Sequence, residues 1–117
     1  MTINYRQYTV ISLFIIIFML ITQNCLAITS SKNDMIIMKD NYFSPKTMTI
    51  PVGRAVTWIN KGIHDHTVTS NKGGFDSGHV QPGARFSYTF THPGTYPYLC
   101  TIHSLLGFGM RGEIIVR

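Results

Sequence analysis

Arg85-Phe86-Ser87-Tyr88-Thr89-Phe90, with Pro82-Gly83 before it and Pro93-Gly94 after it, is the stretch that decides the fold class. Aromatic side chains alternate with Arg, Ser and Thr, so an extended chain puts Phe86, Tyr88 and Phe90 on one face and the polar groups on the other. The flanking Pro-Gly pairs mark tight turns. Similar short runs precede it: Met35–Lys39, Thr47–Ile50 and Ala55–Asn60 read as strands, the last with Val56 and Trp58 flanking Thr57. Asn41–Pro45 reads as a bend and Pro51-Val52-Gly53 as a turn. Thr67–Ser70, Gly94–Cys100 and Gly112–Arg117 complete the set. No helical period of useful length follows Ala27. The expectation is an all-β fold, an antiparallel Greek-key two-sheet β-sandwich of about seven to eight strands. Trp58 and the Phe86, Tyr88, Phe90 face are the expected core, with Met35, Met38 and Met48 as filler.

Ahead of this domain the composition changes. Arg6 is the only charged side chain between Met1 and Ala27, and Val10–Ile21 is an apolar run broken only by Ser12. Twelve residues suit the apolar region of a signal peptide and fall short of a spanning helix. Cys25 and Ala27 form a small-x-small processing site, so residues 1–27 are expected to be a signal peptide cleaved after Ala27, with an uncleaved anchor as the alternative. Thr22-Gln23-Asn24 lacks the apolar and small residues that would precede a lipid-bearing cysteine. Residues 28–117 then form one domain destined for a periplasmic or other extracytoplasmic compartment. That segment keeps Cys100 as its only cysteine, so no internal disulfide exists even where one is permitted. It carries nine basic and five acidic side chains with no Lys/Arg cluster, which argues against nucleic acid.

Chemistry concentrates between Gly94 and Gly112, GTYPYLCTIHSLLGFGMRG. Cys100, His103 and Met110 offer a thiol, an imidazole and a thioether on what reads as a loop between two strands. Cysteine and histidine separated by two residues are spaced for a common metal, and a thioether can act as a weak, distant ligand. One equatorial position stays empty. His64 and His66 both qualify by position, at the start of a predicted strand whose sheet would hold a donor rigidly. Zinc accepts Cys and His as well, but the thioether and copper's rank among divalent ions favour copper. His79 and His92 fall in turns and read as solvated; Asp65 reads as an exposed charge, with orientation of an imidazole as the alternative.

The chain resembles the small blue copper proteins of the cupredoxin superfamily, the plastocyanin and amicyanin group. Carrying the resemblance over residues 35–117 are Val56–Asn60, His66-Thr67-Val68, Phe75-Asp76-Ser77-Gly78, Pro82-Gly83, Phe86–Phe90, Pro93–Tyr96, Cys100-Thr-Ile-His103 and Met110-Arg111-Gly112. It implies a single copper held by His66, Cys100 and His103 as equatorial ligands and Met110 as the axial one, cycling between Cu(I) and Cu(II). Two departures stand out. The segment Ser104–Gly109 is longer than the family usually has, and Thr67 stands where plastocyanin-type proteins often place an asparagine that ties the two ligand loops.

The function that follows is an exported, monomeric one-electron carrier without small-molecule substrate, passing electrons through His103 to larger redox proteins. Leu105, Leu106 and Phe108 either cover the copper or form an apolar docking patch; the small contacts of electron-transfer encounters favour docking. Copper storage or delivery is the competing function. An open-site copper enzyme would require that Met110 not bind.

Overall fold

The computed structural model describes residues 9–16, 34–105 and 108–117. Residues 9–16 form a short helix within the unit Met1–Ser31; no described helix is long and apolar enough to cross a membrane. The cleavage site after Ala27 lies outside the described residues.

The second unit, Lys32–Arg117, is a sandwich of eight strands: β1 Met35–Met38, β2 Phe43–Ser44, β3 Thr47–Ile50, β4 Ala55–Asn60, β5 Thr69–Ser70, β6 Arg85–Thr89, β7 Gly94–Leu105 and β8 Phe108–Val116. One sheet runs β2-β1-β4-β6 and the other β3-β8-β7-β5. From β2 to β7 every connection changes sheets, the crossover pattern of a Greek-key sandwich. The expected antiparallel pairing is corrected in two places, because β1 runs parallel to β4 and β3 parallel to β8. Alternation along a strand reports which face is buried and carries no information about a neighbour's direction.

Three elements differ from their reading in sequence. The bend at Asn41–Pro45 contains the two-residue β2, held by the burial of Phe43 edge-on against Tyr98 at 4.8 Å between ring centres. β5 begins at Thr69, two residues later than expected, because His66 and Thr67 belong to the metal-site segment before it. Most consequential for function, β7 does not stop at Cys100 but continues to Leu105, and β8 starts at Phe108.

Trp58 is fully buried between the sheets, with Tyr98, Phe86, Phe75 and Phe90 at ring-centre distances of 5.4, 5.8, 6.1 and 6.5 Å. At about 25 cal/mol per Å², each such ring contributes roughly 4 to 6 kcal/mol of burial before entropy is counted. Phe90 is buried as expected, whereas Phe86 and Tyr88 are only half-buried at the edge of the cluster. Met38 is core and Met48 packs against it, but Met35 is exposed at the start of β1. Tyr98 is a core residue that alternation missed, since Pro97 and Leu99 on either side are half-buried. Its ring lies over Gly112, its partner across the β7–β8 ladder, where any Cβ would run into the phenol. That contact is why glycine stands two residues after Met110. Burial pushes the Tyr98 phenol up, so it stays protonated.

Candidate metal centre

The β7–β8 ladder is regular up to Leu99 opposite Arg111 and resumes at Ser104 opposite Gly109. Residues 100–103 therefore face Met110 alone. A bulge of this size frees the backbone from strict alternation, so that Cys100 and His103 can turn toward one point. Beyond it the hairpin closes through Ser104 with Gly109 and Leu105 with Phe108. The extra length between His103 and Met110 is thus taken up outward, as added hairpin. Ser104 Oγ donates to the Met110 carbonyl at 3.0 Å and pins Met110 beside the bulge. Gly109 makes the turn-in at φ 110°, and a Cβ there would run into the His103 carbonyl. Met110 is 1% exposed and belongs to the same core cluster as Cys100.

His66 comes from the connection between β4 and β5. Its backbone forms a β-bridge with Val80, with N–H···O distances of 3.2 and 2.8 Å. Asn60, fully buried at the end of β4, fixes the turn: its Nδ2 donates to the carbonyls of His64 and Val80 at 2.8 Å each, and its Oδ1 accepts the Gly62 N–H at 2.9 Å. Asp40 holds the same turn from outside, accepting the N–H groups of Ile63 at 2.8 Å and His64 at 3.2 Å through Oδ1. The Ile63 N–H in particular keeps the Asp40 carboxyl below the usual carboxylate range.

These two halves bring His66, Cys100 and His103 together, the one such cluster among the described residues, with ligand atoms within 4.8 Å of one another. The two Nδ1 atoms are 3.1 Å apart, and Cys100 Sγ lies 3.4 Å from His103 Nδ1 and 3.8 Å from His66 Nδ1. A metal bonded at 2.0–2.3 Å to two nitrogens and a sulfur in a trigonal plane spaces its donors about 3.5 to 3.8 Å apart, so the triangle fits such an ion with little adjustment. Burial, reinforced by the neighbouring His103 ring, holds the His66 imidazole below its ordinary value, against the opposite pull of Asp40. The neutral ring that results is the metal-binding form.

Thr67 does what the sequence left open. Its hydroxyl oxygen accepts the Thr101 N–H at 2.8 Å and lies 3.1 Å from Thr101 Oγ1, tying the His66 segment to the residue after Cys100. Thr69 Oγ1, 3.0 Å from Thr67 Oγ1 and 3.2 Å from Asp76 Oδ1, extends the tie. The Thr67 N–H points at Cys100 Sγ from 3.4 Å, and hydrogen bonding at that sulfur is a lever on the potential of copper–thiolate sites.

Other candidates separate from the cluster. His64 is exposed, its ring 6.1 Å from that of His103. His79 pairs with Asp65 at 3.3 Å, so Asp65 serves a solvated ring and not His66. His92 is exposed beside Thr91. Leu105 and Phe108 are 77% and 80% exposed on the hairpin beyond His103; Leu106 lies outside the described residues. Asn60 and Asp40 are the supporting residues that sequence reading missed; a polar side chain closing an apolar strand run was the one available signal for Asn60.

Comparison with known proteins places the chain among copper-protein relatives. Residues 10–116 match the family model for the cupredoxin-like domain. A plastocyanin from Scenedesmus fuscus is 34% identical over 86 residues, 64% of this chain and 86% of its own length. An amicyanin from Paracoccus versutus is 33% identical over 86 residues, 69% of this chain and 61% of its own length. Among solved structures, a purple cupredoxin from Nitrosopumilus maritimus superposes with a TM-score of 0.62 at 29% identity, covering 71% of this chain and 98% of that one. A copper-containing nitrite reductase from Thermus scotoductus gives 0.63 at 30% identity, covering 71% of this chain and 22% of that one. From its sandwich, its donor triangle of two imidazoles and a thiolate, and these relatives, the chain belongs to the cupredoxin-like family, and its cofactor is one copper ion.

Proposed function

We propose that this chain is an exported blue-copper protein that carries single electrons between larger redox proteins. The observation that carries the reading is the convergence of His66, Cys100 and His103 donor atoms within 4.8 Å, with the buried Met110 across the bulge. His66, Cys100 and His103 would hold the ion through two imidazole nitrogens and a thiolate, and Met110 would add its thioether as a weak further donor. Copper supplies the chemistry, gaining and losing one electron between Cu(II) and Cu(I). The chain supplies a donor set that its sheets, the Asn60 turn and the Thr67 tie keep from rearranging as the charge changes. His103 is the less buried of the three donors and serves as the electron's exit. Exposed Leu105 and Phe108 offer the redox partner a small apolar contact, with the domain's net positive charge steering an acidic one. The Val10–Ile21 run and the Cys25-to-Ala27 site support export, leaving residues 28–117 as the working domain.

An absorption spectrum of the copper-loaded protein tests the assignment. An intense visible thiolate-to-copper band is expected, and Cys100→Ser should abolish it; a loaded protein without the band overturns the reading. Copper delivery is the second reading, favoured by the partial exposure of His103. Rapid loss of copper to a chelator supports delivery, whereas reversible reduction with copper retained supports the carrier. Burial of Met110 in the core beside Cys100 stands against an open-site enzyme, since a thioether bound there would leave no position for a substrate.

A further inference from the structure

His66 is 0% exposed, and its Nε2, the ring nitrogen turned away from Cys100 and His103, has no hydrogen-bond partner. A buried polar atom left in that state costs free energy, so what lies beside it matters. Asp40 Oδ1 stands 3.6 Å from Nε2, just beyond hydrogen-bond range. The carboxylate comes from the turn between β1 and β2 and is held there by the Ile63 and His64 N–H groups. Gly62 makes the approach feasible: a Cβ at that position would run into Oδ1 and sit 3.1 Å from Nε2. A fixed anion, a buried ring edge and the glycine that lets them meet are three separate features of one contact.

The structure assigns Asp40 the role of a positioning residue, whose carboxylate keeps the His66 proton on Nε2, frees Nδ1 for the metal, and favours oxidised over reduced copper. With the proton on Nε2, an N–H dipole faces the anion; with the proton on Nδ1, a lone pair faces it and a second proton crowds the donor triangle. His64 Nδ1 also approaches Asp40 Oδ1, at 3.4 Å, but that ring is exposed and its interaction is screened. A negative charge beside a buried ligand stabilises the more positive state of the ion, and low local dielectric strengthens the effect. The effect on copper rests on the function proposed above; the effect on the His66 proton does not.

Asp40→Asn separates charge from scaffold, since the amide oxygen still accepts the Ile63 and His64 N–H groups. In copper-loaded D40N the visible band should persist while the Cu(II)/Cu(I) equilibrium moves toward Cu(I) by about threefold to tenfold, 59 mV per tenfold. Nitrogen-15 NMR of the metal-free wild-type chain should find His66 as a single tautomer protonated at Nε2, and metal-free D40N should give a mixture. His66 protonated at Nδ1 in the wild type, or an unchanged potential in D40N, overturns the assignment. The wild-type NMR measurement needs no variant to fold. A loaded wild type without its visible band would sink the copper reading alone and leave the tautomer result standing.

Discussion

The two halves of the metal centre are built on opposite plans. The hairpin half, residues 100–110, gathers Cys100, His103 and Met110 from one contiguous stretch, shapes them with a bulge, and ends in exposed Leu105 and Phe108. The turn half, residues 60–67, contributes His66 alone and surrounds it with Asn60, Val80, Thr67 and Asp40, residues that bind no metal themselves. One half carries donors and the other carries support. The comparison implies that breaking the turn's own backbone contacts registers as lost stability, while damage to the hairpin registers in the metal's spectrum and potential.

Asn60→Ala should give the largest effect and tests the turn. It strands the His64 carbonyl and the Gly62 N–H and takes one of two donors from the Val80 carbonyl, which keeps the His66 N–H, a cost of about 2 to 4 kcal/mol. Thermal unfolding of the metal-free protein should show Tm falling by about 10 °C or more; a fall of only a degree or two would erase the distinction between the halves. Gly109→Ala attacks the hairpin. A side chain at φ 110° against the His103 carbonyl introduces about 1 to 3 kcal/mol of local strain. Because Leu105 and Phe108 beyond Gly109 are exposed, the expected readout is a displaced visible band and altered potential with a smaller loss of apo-protein Tm than Asn60→Ala gives. Thr67→Val breaks the link between the halves. It keeps the shape and removes an acceptor worth about 1 kcal/mol, so the potential should shift while a band remains.

The smallest effect concerns pH. The His66 imidazole is held below its ordinary value in the folded chain, so an unfolded chain takes up that proton first. Metal-free stability should therefore decline as pH falls below about 6.5, the ordinary imidazole value. Bound copper competes with that proton, so the loaded protein should resist the decline over the upper part of the same range. Thermal melts of both forms between pH 7 and 5 check the sign.

The same division explains what could be read without coordinates. Cys100, His103 and Met110 stand close in the chain, so local pattern was enough to nominate them, whereas His64 and His66 qualified alike by position and the family resemblance at His66-Thr67-Val68 separated them. The hairpin itself was invisible. The segment between Ser104 and Met110 reads as a loop, because Leu105 and Phe108 pair with each other and leave their side chains in solvent. Asp40 and Asn60 act through contacts with backbone groups, for which no residue-type pattern exists. Parallel pairing of β1 with β4 and of β3 with β8 was likewise beyond reach, being decided by how the chain crosses between sheets.

Placing the surplus residues of the ligand segment in a hairpin extension makes the tip a replaceable part. Strand pairing repeats every two residues, so adding two residues on each side of the Leu105–Phe108 pair would lengthen the arm while Ser104 stays opposite Gly109. Evolution, or an engineer, could rewrite the surface that meets a partner without moving a single donor atom.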